Sequence, residues 1–212
     1  MGLFDALKNQ AGNAIRTGVR GSASQAVGNA QKSITNAVSN IGSHKTKSYT
    51  YENLPSDVSQ LQALPEASLN DPFAVASLVV LAFCEYSNNK DAAIAMLNFL
   101  KGPESLSPRD IQFIRDRFMD GNDYIARSYF KGATPANNYE PNKPYTIEVE
   151  ENPYSRDQFS EGYLKLFLKS GGADSPREIK LRHKPSTDQW FLWSYEGLLS
   201  GIRIPAAKDA WA

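Results

Sequence analysis

The sequence has one cysteine, two histidines and no net charge, 23 Lys and Arg balancing 23 Asp and Glu over 212 residues. A lone thiol, Cys84, excludes an intramolecular disulfide, which fits a reducing compartment. His44 and His183 stand apart, with no Cys or carboxylate cluster at ligand spacing, so neither a zinc site nor any other metal or cofactor is expected. No apolar h-region of about 7–15 residues heads the chain, so secretion is not expected and the protein reads as cytoplasmic. Long apolar runs are missing too. The most apolar stretch, Asp71–Tyr86 (DPFAVASLVVLAFCEY), has about a dozen apolar residues interrupted by Ser77, against the roughly 20 needed to cross a bilayer. It predicts a helix with no polar face, wrapped by protein on nearly all sides.

What is present is a front unlike the rest. Residues 1–47 carry six Lys or Arg against the single acid Asp5, leaving 17 basic and 22 acidic residues behind them. Apolar residues recur there at three- and four-residue steps, with Leu3, Phe4, Leu7, Ile15, Val19, Val27, Ile34 and Val38 near one stripe and small polar residues opposite. The repeat is loosely eleven residues (Phe4, Ile15, Ala26, Ala37), close to straight on an α-helix. Gly12, Gly18, Gly21 and Gly28 each cost about 1 kcal/mol relative to Ala inside a helix. The segment is therefore expected to be helical only on a surface that rewards the stripe, where one continuous helix would be on the order of 60 Å long. Three readings compete: residues 2–41 dock on a membrane surface, as lipid-packing helices do; they meet a protein partner or another copy of the chain; or they are a tail without a surface partner. Ala6 stands where a myristoylation signal has Ser or Thr. Gly42–Lys47 (GSHKTK) reads as a linker.

Behind the linker a short extended piece or strand, YTYENLP, precedes a helix Asp57–Leu64 capped by Ser56, then the core helix with Asp71 as N-cap and Pro72 at its first position. Further helices are expected over Lys90–Leu100, stopped by Gly102-Pro103, over Arg109–Met119 with Ile111, Phe113, Ile114 and Phe118 inward, and briefly over Tyr124–Phe130. Period-two alternation then marks strands at Tyr145–Glu150, 162–169, 177–183 and 189–193. The expected fold is α+β: a helical cluster followed by a three- or four-stranded antiparallel meander, as one domain from 48 to 212. Strict alternation sends Trp190 and Leu192 to one face and Phe191, Trp193 and Tyr195 to the other. The tail is expected to tie Trp211 to the body.

LPEASLNDPF, FLKGPESLSPRDIQFIRDRFMDG, GGADSPREIKLR and QWFLW…IRIP…DAW together resemble a family of bacterial proteins of unknown function, common in gut Firmicutes. The resemblance covers about residues 48–212, and members are similar in a Gly/Ala/Ser/Asn-rich amphipathic front. Their ending is Asp-Pro-Trp, where this chain has Asp209-Ala210-Trp211. The resemblance implies one domain and brings no activity with it.

Residue chemistry points the same way. Cys84, among Leu81, Ala82 and Phe83, reads as a buried structural thiol. Glu148, Glu150 and Glu151 read as a solvated face, and the mixed charges of Arg109–Arg117 as weak ion pairs on a helix. No one-sided positive field suggests nucleic acid. The GGADSPR turn reads as a hairpin corner and not a P-loop, since no Gly-Lys-Ser/Thr follows and a strand comes next. The leading expectation is a non-enzymatic interaction protein docked through residues 2–41 on a membrane surface, at its inner face, or on a protein partner. The second is a self-assembling structural protein that forms homo-oligomers through these helices. The third is a small-molecule binder or enzyme, with Tyr124, Arg127, His183 and Trp193 around a pocket between helices and sheet.

Overall fold

The computed structural model describes residues 45–211. The apolar stripe from Leu3 to Val38 lies outside the described residues. Strand β1 (Thr46–Tyr51) opens the body, followed by helices α1 (Val58–Gln62), α2 (Pro72–Glu85), α3 (Lys90–Lys101), α4 (Pro108–Phe118) and α5 (Tyr124–Arg127). Strands β2 (Tyr145–Glu150), β3 (Tyr163–Leu168), β4 (Arg177–Lys184) and β5 (Gln189–Ser194) complete it. The sheet runs β1-β2-β3-β4-β5, all neighbours antiparallel. The α+β reading therefore holds, with one strand more than the meander expected. Thr46 and Lys47, read as linker, are already strand, paired with Glu150 and Val149.

Helix α2 is the hub. Asp71 caps it, its Oδ1 accepting from Phe73 N at 3.1 Å, and every residue from Phe73 to Phe83 is buried. It touches all five strands. Ile147, Val149, Leu164, Leu166, Leu168, Ile179, Leu181 and Leu192 line the sheet face below it, each almost inaccessible to water. Ser77, the one polar residue in the run, donates to Ala74 O at 2.7 Å and meets Tyr51 Oη at 2.6 Å, which satisfies a hydroxyl that would otherwise be costly to bury. Asp71 also ties β1 to this helix, accepting from Lys47 Nζ and Tyr49 Oη at 2.8 and 2.6 Å. No helix among the described residues is long and apolar enough to cross a membrane.

Local details differ from expectation for physical reasons. Asp57, not Ser56, caps α1, because its carboxylate reaches Gln60 N at 2.9 Å. Ile111 is 40% exposed, since α4 turns only Ile114 and Phe118 fully inward. Glu151 is buried against Arg156 at 2.6 Å instead of solvated. Trp211 is 96% exposed, and the tail is held by Lys208 Nζ, which donates to the carbonyls of Asp120 and Gly121 at 3.2 and 2.7 Å.

Alternation along β5 breaks at Trp193. Leu192 pairs with Leu181 but Ser194 pairs with Lys180, so Trp193 is the extra residue of a β-bulge. The bulge shifts the phase by one. Trp193 stays 36% exposed while Tyr195 turns inward to 1%, its ring 5.6 Å from that of Phe83.

Candidate functional site

A cleft of about 310 Å³ lies between the end of α3 and the β4–β5 hairpin. Lys101, Pro103 and Glu104 form one side. The hairpin supplies Arg182, His183, Lys184 and Pro185 from β4 and its turn, and Phe191, Leu192 and Trp193 from β5. The two sides meet at Gly102, whose φ of +68° favours glycine and whose added Cβ would fall 2.3 Å from the Phe191 ring. A side chain there would collide with the cleft floor.

The aromatic wall is braced from behind. Arg182 places its guanidinium 4.8 Å from the Trp193 ring, and Tyr163 packs edge-on to Trp193 at 5.4 Å. Lys180 Nζ sits 4.3 Å over Tyr163 and donates to Gln158 Oε1 at 2.7 Å. His183 is stacked on Trp190 at 4.7 Å, with its Nε2 2.9 Å from Asp188 Oδ1. Among the described residues, Lys101, Arg182 and Lys184 have no carboxylate within ion-pairing distance. Glu104 is the one acid among the lining residues.

His183 and Trp193 thus meet in one cleft. Tyr124 and Arg127 are elsewhere: Tyr124 is buried, stacked on Tyr139 at 5.4 Å, and Arg127 is paired with Asp123 on the same short helix. Sequence reasoning passed over Lys101, Arg182 and Lys184. The outward alternation of Arg182 and Lys184 on β4 was visible, but the arrival of Lys101 beside them depends on how α3 ends against β5.

A second concavity, of about 250 Å³, adjoins the GGADSPR turn and includes Tyr129, Thr134, Glu148, Lys169 and Gly171. Lys169 there is committed internally, bridging Glu148 at 3.3 Å and Glu150 at 3.5 Å, which raises the lysine above its ordinary range, while Lys131 on the same rim has no ion pair among the described residues. The turn amides are committed too: Gly171 N donates to Ser128 O, Gly172 N to Ser170 Oγ and Ala173 N to Ser170 O. Three successive amides held this way support the reading of a corner. Cys84 is half-buried, less enclosed than expected, and the desolvation it does meet pushes its thiol up to about 12, away from the thiolate a nucleophile needs. No group of three or more His, Cys, Asp or Glu that could hold a metal ion occurs among the described residues.

Residues 53–206 match a family model described as a domain of unknown function (DUF6935). The match starts just after β1, so β1 and the front of the chain lie outside it. No curated protein and no solved structure matches the chain.

Proposed function

The chain belongs to the DUF6935 family, whose description carries no activity, and from that premise we propose that it works by binding, as an interaction protein whose residues 2–41 dock on a membrane surface. The observation that carries this is the apolar stripe from Leu3 to Val38, set in a front with six basic residues and one acid. Each larger apolar side chain contributes about 1.5–3 kcal/mol when fully buried, and less at an interface. Several together offset the cost of ordering a glycine-rich helix, and the excess Lys and Arg favour an anionic surface. Such docking is reversible and would hold the body at the inner face of the membrane.

Circular dichroism and flotation of the full chain with anionic and with neutral vesicles test it. Helicity that rises with anionic vesicles, and flotation lost on Phe4→Asp and Ile15→Asp, are expected. No rise and no flotation would sink the membrane reading. In that case light scattering distinguishes homo-oligomers built through the front helices from a chain that stays monomeric, whether its front meets another protein or is a tail without a partner.

One observation favours a second reading beside this one. His183 and Trp193 share a formed cleft with unpaired cations, which suits a body that binds a small molecule.

A further inference from the structure

We infer that the β4–β5 cleft takes a small organic anion built on a flat ring, with its ring against Trp193 and Phe191 and its carboxylate or phosphate among Lys101, Arg182 and Lys184. The inference deepens the small-molecule reading of the body and does not depend on what the front of the chain does.

Charge gives the first half of the ligand. Elsewhere on the sheet, lysines facing acids are bridged, as Lys165 is to Glu178 at 3.7 Å and Lys169 to Glu148 and Glu150. Three cations line the cleft from two elements, and among the described residues Glu104 is ion-paired with none of them. Against the single acid Glu104 these cations leave the lining with an excess of positive charge, and an anion placed there is attracted to it. Arg182 is also held over the Trp193 ring, so its planar donor fork is fixed before any ligand arrives.

Shape gives the second half. Trp193 is the bulge residue of β5 and stays 36% exposed, while Phe191, Pro103 and Pro185 supply further apolar wall. Exposed aromatic surface beside cations suits a ring that stacks or packs edge-on. The volume of about 310 Å³ sits at the lower end of the range for ligand pockets, which limits the occupant to one ring system and one charged group. The wall is preorganised: His183 is fixed by Trp190 and Asp188, and Trp193 by Arg182 and Tyr163.

The test is isothermal titration calorimetry on the full chain with naphthyl phosphate, indole acetate and adenosine monophosphate as ring anions, and with inorganic phosphate and adenosine as the two halves. At least one ring anion is expected to bind, with both halves at least about tenfold weaker. Two variants follow: Trp193→Ala, and the double variant Lys101→Gln with Lys184→Gln, which keeps the side-chain bulk. Each should weaken the ring anion about tenfold or more, and the double variant should erase the preference over adenosine. If no probe binds, the small-molecule reading and the ligand class fall together. If adenosine or inorganic phosphate binds as tightly as the ring anions, the cleft is a binding site and the assigned class is wrong. Binding unchanged in the lysine double variant, whose fold is checked by circular dichroism, places the ligand elsewhere and overturns the inference.

Discussion

Two concave regions of the body use polar residues in opposite ways. Around the Ser170–Arg177 corner the buried polar side chains find partners inside the chain: Ser170 Oγ bonds Ser128 Oγ at 2.8 Å, Tyr139 Oη donates to Arg203 O at 2.7 Å and Tyr129 Oη donates to Leu198 O at 2.6 Å. Arg177 Nε is the exception, buried without an acceptor. At the β4–β5 cleft, Lys101, Arg182 and Lys184 form no ion pair among the described residues, although Glu104 shares the lining. The contrast separates polar residues that build the fold from polar residues left for something outside it. Substitutions at the corner should therefore cost stability, and substitutions at the cleft should cost binding.

The largest effect is expected at Gly171. A Cβ there would lie 1.9 Å from the carbonyl oxygen of Ala133, a backbone atom that cannot swing aside as a side chain would. Gly171→Ala should destabilise the body by about 3 kcal/mol or more, at the upper end for overpacking, with the loss read from chemical denaturation. A cost below about 1 kcal/mol would show that the corner adapts and is not the rigid element described.

Raising the pH acts on the same region next. Burial, reinforced by the neighbouring Tyr124, pushes the Tyr139 phenol up to about 12, with Arg203 pulling weakly the other way. Because the folded value is raised above the unfolded one of about 10, stability is fully present below about pH 10 and is lost as pH climbs toward the folded value. Melting temperatures should be flat between about pH 8 and 9 and fall above about 10, with the slope reduced in Tyr139→Phe. A smaller effect follows at Tyr129, where Tyr129→Phe leaves the buried Leu198 carbonyl short of a donor and should cost about 1–2 kcal/mol.

How much of this was readable in the chain depends on the range of the interaction. The hub α2 was legible because Asp71-Pro72 and an unbroken apolar run are local signals, and both hold. β1 was read as an extended piece or strand, but not as a member of the sheet, since pairing Thr46–Tyr51 with Glu150–Tyr145 joins residues about a hundred positions apart and leaves no local trace. Tyr195 was assigned to the wrong face because a bulge adds one residue to one strand only, and a period-two pattern cannot register it. Within the cleft, His183 and Trp193 could be named from strand alternation and aromatic content. Lys101 could not, because it reaches the cleft through the way α3 stops at Gly102 against Phe191. The tail failed for the opposite reason: a conspicuous tryptophan suggested an anchor, while Lys208 and two backbone carbonyls hold it.

The smallest expected effect on stability is the sharpest test of the contrast. Lys184 closes β4 opposite Gln189, half-buried, with no carboxylate at ion-pairing distance among the described residues. Removing an unpaired surface cation takes away no favourable charge pair, and what remains is the packing of its stem, so Lys184→Ala should change stability by less than about 0.5 kcal/mol. Relief of repulsion from Arg182 and Lys101 pushes the sign toward stabilisation, most visibly at low salt, where screening is weakest. Chemical denaturation at low and at moderate salt reads both features. A loss above about 1 kcal/mol would mean that Lys184 has a structural partner after all, and the cleft would then resemble the corner. A neutral result means the lysine contributes nothing to the fold, and a stabilising one that it is kept at a cost, as expected of a residue whose partner arrives from outside.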